Sequence, residues 1–282
     1  MTACPSDATD FASLLRFSHA LRGDGRLDEA LACHARVTSL HPRRADGWFD
    51  LGLAEQARGD LGAAARALGA GLRLQPADAG RLTAYGVVLQ QAERLDEARD
   101  AYRRSIARSP GVADAHFNLG TAHEAAGQLS EALASYRAAL DREPDDEARV
   151  HNNIGGVLSA QGDVDGSIAA YREAVDADAA FADGWYNWGN VLLAAGRLGE
   201  ADAHLRRALK IEPRHPRAGR KLAHVRAEAT RPRQHAFEAE AQLAAARAAA
   251  ELCADDEEAP ECARREVEAD DAARDADGPL IV

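Results

Sequence analysis

Three asparagines, Asn118, Asn153 and Asn187, recur 35 and 34 residues apart, with Phe117, Asn152, Tyr186 and Asn190 beside them. A carboxamide presents a donor and an acceptor together. A column of such groups can therefore bind the backbone of an extended peptide without reading its side chains. These seven residues are the candidate binding set, and the competing reading is a set of polar residues on a solvated helix face. Asn is only a middling helix former, so three at one phase need a reason. Ten histidines invite a metal reading. His116, His123 and His151 have no carboxylate or thiol placed to complete a tetrahedral set, and they read as packing residues with no metal. No Ser-His-Asp order, nucleophile elbow, phosphate-cradling glycine loop or dinucleotide fingerprint is present, so no catalytic residue and no cofactor is expected.

Composition agrees with a non-catalytic helical protein. Of 282 residues, 46% are hydrophobic but only 5% aromatic, so the core must be built from Ala, Leu and Val, which favours closely packed helices. The formal charge is −12, and the segment from Glu228 to Val282, with 15 acids and 6 bases, carries −9 of it. Only two lysines occur, Lys210 and Lys221, which argues against nucleic acid as a partner. No apolar run approaches the roughly 20 residues of a membrane helix. Asp7 and Asp10 stand where a secretory leader would be basic and then apolar. The expected compartment is the cytoplasm, with four reduced thiols.

The elements that hold the asparagines follow from a period. Pro42, Pro76 and Pro110 are spaced by 34 and Pro144 continues the series; one residue is then inserted near Asp145 or Asp146, and Pro213 closes the last unit. Each unit carries a Gly or polar turn followed by Glu-Ala, as in Gly25 to Ala30, Glu93 to Ala98, Gly127 to Ala132 and Gly196 to Ala201. Gly suits the left-handed end of a helix, and Asp or Ser before Glu-Ala suits the cap of the next. Each unit therefore reads as helix, turn, helix. In the fourth, His116, Leu119, Gly120, His123, Ala132, Tyr136, Ala139 and Pro144 fill positions that resemble the tetratricopeptide repeat.

That resemblance implies an all-α, right-handed α-solenoid of six repeats over 11–215, divided at 11–44, 45–78, 79–112, 113–147, 148–181 and 182–215. A capping helix is expected at 216–229, and 230–282 would be a partly disordered acidic helical tail that includes an Ala-rich helix at about 234–252. It also implies a concave groove lined by the first helix of each unit, with Asn118, Asn153 and Asn187 at its sixth position. This column is similar to the asparagine ladder of O-linked N-acetylglucosamine transferase repeat domains; Arg16, Asp50 and Ala84 interrupt it in the first three units. The carboxylate clamp of chaperone co-factors needs lysines in the groove, and none is expected there. Trp48, Trp185 and Trp188 read as packing residues.

The tail carries Cys253 and Cys262, flanking Ala-Asp-Asp-Glu-Glu-Ala-Pro-Glu. This arrangement resembles the N-terminal half of CP12, with Glu266-Val267-Glu268 as a remnant of its acidic segment. The family's Ala-Trp-Asp core and second cysteine pair are absent. The resemblance implies a redox disulfide between Cys253 and Cys262, with phosphoribulokinase or glyceraldehyde-3-phosphate dehydrogenase as partners and a plastid stroma as compartment. Closing such a loop gains about 2.5–3 kcal/mol in the chain-entropy model. Neighbouring Asp255, Asp256, Glu257 and Glu258 would raise both thiol pKa values. The other reading is an acidic tail with incidental cysteines. Cys33 reads as a small core residue and Cys4 as part of a frayed terminus. The function expected is a non-enzymatic scaffold that binds a protein or peptide segment in its groove. The alternatives are a CP12-like redox regulator and the recognition arm of a glycosyltransferase system.

Overall fold

The structure is a computed structural model that describes Cys4 and residues 9–253, without the side chains of 231–239 and 246–253. Among the described residues the chain is all-α, with thirteen helices and no strand. Six pairs come first: α1 (Phe11–Gly23) with α2 (Leu27–Leu40), α3 (Ala45–Arg58) with α4 (Leu61–Leu74), α5 (Ala79–Gln91) with α6 (Leu95–Arg108), α7 (Ala113–Ala125) with α8 (Leu129–Leu140), α9 (Glu147–Ala160) with α10 (Val164–Ala177), and α11 (Ala182–Ala194) with α12 (Leu198–Ile211). A long α13 (Ala218–Cys253) follows. The chain divides into two compact units, Met1–Asn187 and Trp188–Val282, with the division inside α11. In the first unit each odd-numbered helix from α3 to α9 packs on its own partner and on the even-numbered helix before it, as in a repeat solenoid.

One small residue sets the spacing within each pair. Gly52, Gly86, Gly120 and Gly155 face Leu68, Tyr102, Tyr136 and Tyr171, and a Cβ on any of them would come within 2.5 to 2.7 Å of the opposing side chain. The missing methyl lets a large side chain lie against the helix, and Tyr102 and Tyr136 are fully buried there. Within the second unit, Gly189 repeats this against Leu205 at 2.9 Å. The turn inside each pair needs a left-handed residue. Gly25, Gly59, Gly127 and Gly162 supply it in the first unit, and Glu93 occupies the same place in the third pair at φ 59°.

The caps differ from expectation. Asp28, Asp96 and Ser130 lie inside the first turn of their helices, and the cap position falls two residues earlier. There Asp60 and Asp163 do cap, accepting from the backbone N–H of Ala63 and Gly166 at 2.8 and 2.9 Å. Arg26, Arg94 and Arg197 hold that place in three other pairs. Each forms a two-bond fork to the glutamate three residues on, at 2.6 to 2.8 Å. The inserted residue lengthens the α8–α9 connection to Asp141–Asp146, where Glu143 takes φ 51°.

The first pair replaces the glycine and the large ring by Ser18 and His34, both fully buried. Neither ring nitrogen of His34 has a hydrogen-bond partner, and burial pushes its pKa down to about 4. Beside it, Cys33 is disulfide-bonded to Cys4 with a Cα–Cα distance of 5.4 Å. This corrects the expectation of free thiols at these two positions. Cys4 and Phe11 pack against the cluster of Leu14, Ala30 and Val37.

In the second unit α12 and α13 bury Ala201, Leu205, Ala208, Ala218, Leu222 and Val225, while Arg217, Arg220 and Arg226 stay exposed. Where the sequence predicts two helices, at 216–229 and about 234–252, the backbone is helical without interruption from Ala218 to Cys253. Pro232 removes one helical hydrogen bond, and the alanine-rich sequence on either side has the propensity to carry the helix through it. Among the described residues no helix is long and apolar enough to cross a membrane.

Candidate functional site

Within the first unit the odd-numbered helices are bridged to one another in succession. His19 Nε2 approaches Asp50 Oδ2 at 3.1 Å, joining α1 to α3. Arg81 donates to Asp46 at 2.6 Å and Gln56 to Gln91 at 2.9 Å, joining α3 and α5. Gln90 donates to Thr121 at 3.2 Å, joining α5 to α7. The Arg149 guanidinium stacks 4.5 Å from the Phe117 ring centroid, and Asn187 donates to Asn152 at 2.8 Å, which extends the series through α9 to α11. These are the helices on which the candidate asparagines lie.

The asparagines are not equivalent. The Asn187 amide donates to Asn152, whose own amide lies 3.5 Å from Asn153 Oδ1; Asn153 donates to the Tyr136 hydroxyl at 3.3 Å, and that hydroxyl donates to Glu124 at 2.6 Å. Five side chains thus form one connected network. Burial, together with the Glu124 acceptor, raises the Tyr136 phenol above its ordinary range and keeps it a donor. Asn118 differs: its side-chain amide has no hydrogen-bond partner among the described residues. It is half-buried and lines a cleft of about 330 Å³ with Val87, Gln90, Gln91, Tyr102 and Thr121. Gln90 accepts from the buried Tyr102 hydroxyl at 3.1 Å, and Thr121 donates to the Asn118 carbonyl at 2.9 Å. The polar neighbours are therefore fixed, and the Asn118 amide is left to face the cleft.

Phe117 and Tyr186 prove to be packing residues. They are 8% and 5% exposed, and the Phe117 ring lies 5.6 Å from that of Tyr136 with the Arg149 guanidinium over it. A side chain that fills the space between repeats cannot also offer its ring to a ligand. Sequence reasoning missed Gln90, Gln91 and Thr121. The signal was present, because Gln56, Gln90 and Glu124 stand 34 residues apart, as the turn glycines do.

Where the column is interrupted, the short Ala84 opens a smaller cleft of about 190 Å³ with Asp46, Phe49, Asp50, Leu53, Leu68 and Arg81. Asn190 belongs to the second unit. It lines a cleft of about 510 Å³ with Leu193, Ala194, Gly196, Leu198, Lys221, His224 and Glu228. A lysine does, then, stand opposite a candidate asparagine, which differs from the sequence expectation. His116 and His123 are buried, with Pro110 O 3.2 Å from His116 Nε2 and Gln128 Oε1 2.6 Å from His123 Nδ1. Trp48 and Trp185 make the same tether as His116, each donating its indole N–H to the carbonyl six residues earlier. Among the described residues no three ligand-type side chains group to hold a metal. The side chains of Cys253 and Cys262, and with them the CP12-like segment, lie outside the described residues.

A family model described as tetratricopeptide repeat matches residues 15–80, 84–148 and 122–181, and a second of the same description matches 182–215. The chain belongs to the tetratricopeptide repeat family. Members of this family are generally interaction scaffolds that bind peptide or protein partners. Among solved structures the protein is similar to the Cut9–Hcn1 assembly of the APC/C, with TM-score 0.60 and 17% identity over 78% of this chain and 43% of that one. It also resembles PilF of Pseudomonas aeruginosa, with TM-score 0.61 and 14% identity over 76% and 97% of the two chains. A third similar structure is YrrB, described as a tetratricopeptide repeat protein with an unusual peptide-binding site, with TM-score 0.53 and 20% identity over 67% and 96%. At these identities the likeness establishes the fold alone.

Proposed function

We propose that this tetratricopeptide repeat protein is a non-catalytic scaffold that captures an extended segment of a partner protein along the odd-numbered helices of its first unit. One observation carries the reading: the Asn118 amide, half-buried in the cleft beside Gln90 and Thr121, has no hydrogen-bond partner among the described residues, whereas Asn187, Asn152 and Asn153 are linked in a chain of hydrogen bonds. A half-buried carboxamide with unmet donor and acceptor is a place for a peptide backbone unit, which offers the complementary pair. YrrB supports a peptide ligand by analogy. The half-buried apolar member of the cleft, Val87, would take up an aliphatic stem of the ligand.

The test is capture from a display library of unstructured peptides by the full chain and by Asn118→Ala, with circular dichroism as the control on folding. Loss of capture by tenfold or more, corresponding to about 1.4 kcal/mol, is expected with unchanged helix content. Capture that Asn118→Ala leaves unaltered would sink the reading. Asn153→Ala and Asn187→Ala should weaken capture less, because their amides act through the intramolecular network.

A further inference from the structure

The second unit concentrates positive charge in a way the rest of the protein does not. Between His204 and Ala227 there are eight cationic side chains, Arg206, Arg207, Lys210, Arg214, Arg217, Arg220, Lys221 and Arg226, against the single acid Glu212. They are carried by the last turns of α12, the connection to α13 and the first turns of α13, whose opposite sides bury Leu205, Ala208, Leu222 and Val225. Asp202 neutralises part of this charge through Arg206 at 2.5 Å and Arg226 at 3.5 Å. Glu228 lies in the cleft with Lys221. Lys210, Arg214, Arg220 and Lys221 have no acidic partner among the described residues, and the first three are exposed. These four cations add self-repulsion unless something anionic lies near them.

The same chain supplies such a segment. Residues 254–282, which follow α13, hold eleven acids and three arginines, a balance of −8. We infer that this acidic segment docks on the cationic face of α12 and α13 in its own chain. The reach is sufficient. From Lys221 to the end of α13 at Cys253 is about 48 Å at 1.5 Å per helical residue. The 29 residues beyond it span up to about 95 Å when extended. Tethering makes the encounter intramolecular, with an effective concentration on the order of millimolar, which outside acidic partners must exceed. The inference concerns the second unit only and stands apart from peptide capture on the first.

The lysine content makes a direct test available, because Lys210 and Lys221 are the only lysines in the chain and both belong to this cationic stretch of α12 and α13. Carbodiimide treatment of the dilute full-length protein should couple them to carboxylates among Asp255, Asp256, Glu257, Glu258 and Glu261, giving intrachain cross-linked peptides by mass spectrometry. Their yield should drop severalfold in about 0.5 M salt, where screening acts over roughly 4 Å. In a second measurement, Lys210 and Lys221 should acetylate severalfold faster in the D255N/D256N/E257Q/E258Q/E261Q variant than in the natural chain, since the changes lie beyond the last described helix. Equal acetylation rates in the two proteins overturn the inference, as do cross-links found only between differently labelled chains.

Discussion

The first and fourth helix pairs share a backbone plan and differ at the places where chemistry is decided. Between helices, Gly120 receives the Tyr136 ring, whose hydroxyl reaches Glu124 at 2.6 Å; in the first pair Ser18 and His34 fill the same places, and the imidazole has no partner. On the sixth position the fourth pair has Asn118, turned to a cleft, and the first has the exposed Arg16. The fourth pair has neighbours on both sides, while the first is held on one side by α3 and also by the Cys4–Cys33 bond. A buried aromatic slot with a satisfied hydroxyl can carry stability and site geometry together. A slot with two unpaired nitrogens carries a desolvation penalty along with its packing, and there the pair also holds a covalent tie.

The comparison can be broken most strongly by removing the rings. Tyr136→Ala should cost about 3–5 kcal/mol in urea unfolding, as large-to-small changes in a packed core do. His34→Ala should cost markedly less, because it also removes two desolvated, unpartnered nitrogens. Equal losses would mean that the two slots are energetically alike. A medium-sized effect concerns acid. The native pKa of His34, about 4, lies below its ordinary 6.5, so the unfolded chain takes up the proton first as pH falls. The stability this group contributes is complete above about pH 6.5 and is lost on the way down to pH 4, by about 2–3 kcal/mol. The charges acting on His34 are Asp50 on α3 and His19 and Arg22 on α1. His34→Phe should flatten that part of the pH profile, and a profile unchanged by the substitution would exclude His34 as its source. The smallest effects lie in the turns. Gly127→Ala should cost about 1 kcal/mol and Glu93→Gly should gain up to about that amount, read from shifts in denaturation midpoint.

Much of the helical plan is legible along the chain because it is local and repeated. A left-handed residue after the first helix, a small residue opposite a large side chain and an apolar stripe are each required once per unit, and they recur every 34 residues, with one gap of 35, from Gly25 to Gly196. The caps were not legible because Asp28 and Asp96 are good cap residues placed two residues too late to act as caps. At Arg26 and Arg94 a fork to glutamate stands in their place. The helical continuity of α13 through Pro232 was not legible, because a proline marks a break only where the surrounding propensity is weak.

The candidate site shows where periodicity stops being informative. Repetition was enough to bring Asn118, Asn153 and Asn187 to one phase of the odd-numbered helices, since phase depends only on counting residues along a helix. Which amide is left to face a cleft depends on what each neighbour across the repeat boundary donates. Asn152 and the Tyr136 hydroxyl satisfy Asn153, and Asn152 accepts from Asn187, whereas beside Asn118 Gln90 accepts from Tyr102 and donates to Thr121. Likewise Phe117 and Tyr186 belong to the core because packing buries them, and Cys33 meets Cys4, 29 residues away in sequence, only in the folded chain. Hydrogen bonding and burial are properties of pairs of surfaces, and those pairs exist only after the helices have packed.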